Sequence, residues 1–194
     1  MNPIDAQLVD IARDFIAQAV RLNTDYERAQ NSLELDRVLA PQNLSEPAGT
    51  AQSLETLTRF EAITQSHQDM FKQLGLRLGA RIAHLVAALE SQERLARQAE
   101  LMNSINELIT GQAAFYTNRA RWVEAARAIC VLINAHRATS TFGEEGVRFA
   151  EADTLDRFEA LLETIEQTHR TEVIALEQRV ATIARSLDVL RQGM

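Results

Sequence analysis

The chain has 194 residues, 46% of them hydrophobic and 24% charged, and carries a formal charge of −7. That balance fits one folded domain rather than a disordered chain, and seven Gly with three Pro leave little punctuation for a many-stranded fold, so helix is expected to dominate. The acidity is uneven, with eight acids against four bases in residues 1–50 and nine against five in residues 151–194. No basic stripe of the kind that phosphate backbones require is left over, which argues against a nucleic-acid binder.

The first predicted helix spans about residues 3–40. Asn2 can cap it, Pro3 suits the first helical position and Asp5 favours the positive end of the dipole. Its apolar residues Ile4, Leu8, Ile11, Phe15, Leu22 and Tyr26 step by three, four or seven along one stripe. Pro41 is expected to end it, and PQNLSEPAGTAQ, residues 41–52, reads as a loop because it holds the other two prolines and a glycine.

From residue 53 to residue 138 there is no proline. A continuous helix over that run would be about 130 Å long. The stretch QAELMNSINELITGQ, residues 98–112, offers a capping box in Ser104 to Glu107, and a turn is therefore expected within residues 91–104. The turn divides the run into helices of about 53–102 and 104–138. Phe115, Tyr116 and Trp122 read as core residues of the third helix. Arg119, Arg121, Arg127 and Arg137, with Glu124 among them, are expected to pair with the acidic outer helices.

A second loop, STFGEEGVRF at residues 140–149, precedes a last helix of about 151–192. The last helix has a near-heptad seam of Leu155, Phe158, Leu162, Ile165, His169 and Val173, which continues through Leu176 to Leu190. Glu151, Asp153, Asp156 and Glu159 in its first turns suit the dipole. The expected fold is thus all-α, a long-helix antiparallel four-helix bundle in a single helical domain. The alternative is an extended antiparallel coiled-coil rod with a continuous central helix.

His67 and His169 both take core-facing slots in their stripes, with Tyr26 and Glu124 expected near the same level. A polar layer there could fix register or, with Glu166, hold a metal. Glu166 and His169 form one Glu-x-x-His pair, but a di-iron carboxylate site needs two such pairs. At that spacing His67, His84 and His136 are preceded by Thr64, Arg81 and Ile133, so no metal site and no cofactor are expected.

The segment HQDMFKQLGLRLGARIAHLVAALE, residues 67–90, places His67 before Lys72, then Gly79 with Ala80, then Ile82 and Leu85. In that order it resembles the phosphoacceptor helix of histidine phosphotransfer domains. The resemblance implies a signalling role in which His67 would be exposed and phosphorylated. Its spacing departs from that family, with Lys72 five residues after His67 instead of three and Gly79 two residues late. In the same segment Gly75, Gly79, Ala83 and Ala87 recur every four residues and suit close helix packing, within the bundle or across a homodimer interface.

No phosphate-cradling glycine loop after a strand, cysteine cluster or nucleophile elbow is present. The functional expectation is therefore a non-enzymatic helical protein that binds another protein, as an adaptor, chaperone or inhibitor. Phe142, Gly143, Glu144, Glu145 and Gly146 in the second loop are its expected contact residues. Cys130 stands alone and reads as a small buried residue, and MNPIDAQLVD lacks the basic and apolar regions of a signal peptide. The expected setting is the cytoplasm, without membrane insertion. Nineteen Arg against a single Lys, Lys72, point to a GC-rich bacterial genome.

Overall fold

The structure is a computed structural model. It describes the backbone of residues 3–87, 91–143 and 146–192, and within these the side chains other than those of residues 3–5, 9, 86, 91–109 and 176–192. Five α-helices follow in order, α1 (Pro3–Asn31), α2 (Pro41–Ser45), α3 (Pro47–Val86), α4 (Ser91–His136) and α5 (Ala152–Gln192). Between α4 and α5 lie two short antiparallel strands, β1 (Thr141–Gly143) and β2 (Gly146–Arg148), in the register Phe142↔Val147. The chain is mostly helical, with this hairpin as the one sheet among the described residues.

Several element boundaries differ from the sequence expectation, each for a local reason. The first helix stops at Asn31, not Ala40. The Ser32 side chain competes for the backbone, its hydroxyl donating to the Ala29 carbonyl at 2.7 Å, and Glu34 takes a left-handed φ of 49°.

The expected loop at 41–52 is largely helical, because Pro41 and Pro47 each occupy a first helical position where a missing N–H is harmless. The residues before them, Ala40 and Glu46, are extended at ψ 133° and 141°, as the proline ring demands. Here proline starts helices instead of marking a connector.

The expected turn at 91–104 is not found, since α4 runs unbroken from Ser91 to His136. The break precedes it, between Val86 and Ser91, with residues 88–90 outside the described set. The chain does reverse there, because His67 on α3 is hydrogen-bonded to Tyr116 on α4.

The chain divides into two compact units, residues 1–35 with 58–116, and residues 36–57 with 117–194. In the first unit α1 lies antiparallel to α3. Ile11 and Ile82 are buried with Leu8, Leu78 and Leu85 around them, Phe15 meets Phe71 edge-on at 6.5 Å, and Arg81 bridges Asp14 at 2.6 Å. In the second unit the α4 face of Val123, Ala126, Ile129, Cys130 and Ile133 is buried, with Val38, Leu44 and Leu57 also in that unit's core.

Antiparallel to α4 in this second unit, α5 leaves much of the described part of its seam exposed, while Leu176 to Leu190 lie outside the described side chains. Among its described residues Thr154 and Thr168 are fully buried and the seam residues Phe158 and Ile165 are half-buried, whereas Leu155, Leu162 and Val173 are 37%, 36% and 41% exposed. On the flank of its threonines the helix accepts a hydrogen bond from α4, the Asn118 amide donating to the Thr168 carbonyl at 2.9 Å. No described helix is long and apolar enough to cross a membrane.

Candidate functional site

In the first unit a polar layer is built around His67, which is 3% exposed. The α1 stripe brings Asn23 and Tyr26 to it, and α4 brings Phe115 and Tyr116. His67 Nε2 donates to Asn23 Oδ1 at 3.1 Å, since the amide oxygen can only accept. Nδ1 is then the unprotonated nitrogen and accepts the Tyr116 hydroxyl at 2.8 Å.

The Tyr26 ring stacks on the imidazole at 4.5 Å, while the Tyr26 hydroxyl meets Thr64 Oγ1 at 3.2 Å. Burial lowers the His67 pKa below its ordinary value and pushes the Tyr116 phenol up, with Tyr26 adding to the latter shift. The layer is neutral at physiological pH, and both imidazole nitrogens are taken.

This geometry withholds His67 from a phosphodonor, because neither nitrogen reaches solvent. Nor do the other candidate ligands gather around it. His169 and Glu166 are exposed residues of the second unit, and Glu166 accepts from Arg170 at 2.9 Å. His169 is thus not core-facing as its stripe implied, and Glu124 is exposed and lies in the second unit instead of joining the layer. Among the described residues no three His, Cys, Asp or Glu side chains are grouped to hold a metal ion.

Among the described residues nothing packs closely on the small-residue ridge. A Cβ built on Gly75 or Gly79 would meet nothing within 4 Å, and Ala83 and Ala87 are exposed. Gly49, which the sequence reading passed over, is the close approach. A Cβ there would lie 2.8 Å from the Asn43 carbonyl carbon and overlap its oxygen, where α2 turns into α3.

In the second unit Arg137 fastens that turn. Its Nη1 donates to the Leu44 and Ser45 carbonyls at 2.7 and 2.6 Å, the unpaired C-terminal end of α2, and Nη2 donates to Thr50 Oγ1 at 2.5 Å. The guanidinium also lies over the Phe142 ring, 5.7 Å from its centroid. Phe142 is therefore half-buried against a structural arginine. Gly143 pairs with Gly146, which has a φ of 124° that favours glycine, and Glu144 and Glu145 lie outside the described residues.

The other arginines of that stretch divide their roles. Arg119 pairs with Glu172 on α5 at 3.2 Å and Arg121 donates to Gln167 at 3.4 Å, so pairing with the acidic last helix holds for Arg119. Cys130 is fully buried and its thiol is pushed up to about 11, mainly by desolvation.

An open groove of about 520 Å³ lies between α4 and α5 in the second unit. Ala128, Val131, Leu132 and Ala135 form its α4 wall and Arg157, Ala160, Leu161 and Thr164 its α5 wall, with His136 at one end. Val131 is 56% exposed. Sequence periodicity did not mark this groove, because alanines spaced by three and four read equally well as core or as surface. No protein-family model, curated protein or solved structure matches the chain.

Proposed function

We propose that this is a non-enzymatic protein that acts by binding another protein, and that its docking surface is the groove between α4 and α5, with the loop residues 142–146 as a further contact. The observation that carries the reading is the open apolar trough itself, with Val131 at 56% exposure between walls of alanine and leucine. A single exposed apolar side chain is ordinary on a protein surface, but a trough lined on both sides is the shape into which an amphipathic helix docks. The His67 layer supports the same reading from the other direction, since its polar atoms are spent on one another.

In this reading the long helices form an antiparallel bundle that serves as a scaffold for an adaptor, chaperone or inhibitor. A bacterial cytoplasm is the proposed setting, on the lone buried Cys130 and the arginine-rich composition. Phosphotransfer through His67 or a metal centre with His169 and Glu166 has less support, because the first is buried and the others are exposed in a different unit.

The test is a photocrosslinking residue placed at position 131 in cells, with position 55 on the exposed side of α3 as control. An adduct with a single protein from position 131 and none from position 55 is expected. Equal labelling from both, or none from position 131, overturns the groove as the docking surface.

A further inference from the structure

Resting on that reading, we infer that the occupant of the groove is an amphipathic helix of a partner protein with Lys or Arg along one flank, and not a second copy of this chain. Ala128, Val131 and Ala135 on α4, and Arg157, Ala160 and Thr164 on α5, recur every three or four residues. They form two parallel rows facing one trough. Small alanine side chains in both rows let a helix approach at close interaxial distance.

The trough is bounded along the helices. Arg121 reaches Gln167 across one end and His136 stands 3.9 Å from Glu151 at the other, an interval of 15 residues on α4 or about 22 Å. That length takes about four turns of helix, enough for apolar anchors at i, i+4, i+7 and i+11.

Charge selects the kind of helix. Asp153, Asp156 and Glu163 fall on one row with Ala160 and edge the α5 wall, and Glu124 stands in line with Ala128 and Val131 on the α4 side. All four carboxylates are exposed, and none has a hydrogen-bond or ion-pair partner among the described residues. A helix with bases on its α5-facing flank pairs with this rim, and an acid opposite the exposed Arg157 completes the match. A second copy is a poor occupant, because the chain carries −7 and its α5 residues 152–172 hold six acids against two bases. Two such surfaces would repel.

The test uses the full-length protein and two synthetic helical peptides of 15–18 residues (roughly the bounded length). Both have the same Leu and Ala face, one with Lys and Arg flanks and one with Glu flanks, and binding is followed by fluorescence anisotropy at several salt concentrations. The basic peptide is expected to bind about tenfold more tightly than its acidic twin, and Asp156→Lys with Glu163→Lys should remove that preference. Asp153 is left in place because it supports the N-terminus of α5.

Val131→Glu separates docking from general attraction between opposite charges. It adds negative charge, so non-specific attraction would grow, whereas groove binding should fall by about tenfold or more. Binding of the basic peptide that is unchanged or stronger in Val131→Glu overturns the groove itself, and with it the docking surface proposed above. Acidic and basic peptides that bind equally well, and both weaken in Val131→Glu, overturn only the basic occupant. Dimerisation that is lost in Val131→Glu, seen by light scattering, also overturns the occupant, in favour of a second copy.

Discussion

Arg137 offers the sharpest test of how the second unit is held together. Replacing it with Ala removes three donors at 2.5–2.7 Å from the Leu44 and Ser45 carbonyls and from Thr50 Oγ1, together with the ring contact to Phe142. Bonds from a charged donor are worth about 1.5–3 kcal/mol each. They share one fork and do not add, and the freed carbonyls recover some water. The net loss is expected to be about 2–4 kcal/mol, a fall in melting temperature of about 5–15 °C for a chain of this size.

Arg137→Lys keeps the charge but cannot span three acceptors, and should recover less than half of that loss. Urea denaturation of the two single variants, Thr50→Val and the double variant Arg137→Ala/Thr50→Val gives the coupling energy directly, expected at about 0.5–3 kcal/mol. Amide exchange in residues 41–45 and 141–148 should accelerate in Arg137→Ala. A loss below about 0.5 kcal/mol, the range of ordinary surface substitutions, would refute the fastening role.

Three further expectations concern other points of the fold. Gly49→Ala should destabilise by about 1–3 kcal/mol in urea melts, since the new methyl group meets backbone at Asn43 that no side-chain rotation can relieve. Tyr116→Phe leaves His67 Nδ1 buried without a donor and should cost about 1–3 kcal/mol, whereas a neutral result would mean that water reaches the ring. His67 has a folded pKa below its ordinary value of 6.5, so its contribution to stability is present above about pH 6.5 and is lost as pH falls toward the folded value. Imidazole titration followed by NMR should place His67 below 6.5, and a midpoint above it would contradict the burial argument.

The helices themselves were legible in composition and period. Leu8, Ile11, Phe15 and Tyr26 form the α1 stripe that packs toward α3 or His67, and Tyr26 does reach His67. What the pattern could not convey was the meaning of Pro41 and Pro47, because proline ends one helix and begins the next with equal ease, and only the carbonyl partners decide. Nor could periodicity rank the two flanks of α5. Leucine and isoleucine spacing favours the flank of Leu155 and Leu162, while the buried flank is that of Thr154 and Thr168, where the Asn118 amide hydrogen-bonds the Thr168 carbonyl. In the sequence Arg137 reads only as part of a basic stretch, since a side chain that binds backbone carbonyls has no complementary residue to mark it.

The orientation of α5 bears on the proposed docking. With Thr154 and Thr168 as its buried residues the helix leaves apolar surface on two sides, the groove past Ala160 and the seam through Leu162. Threonine pairs bury little apolar area, so α5 gains less from its own chain than a leucine seam would supply. A partner helix in the groove would add the missing burial, and occupancy at about 100 times the dissociation constant stabilises the bound state by about 2.7 kcal/mol. Amide exchange along α5 should therefore slow on binding more than exchange along the buried face of α4, whose core of Ile129, Cys130 and Ile133 is already closed. Uniform slowing across both helices would mean that the ligand acts on the unit as a whole and not through the groove.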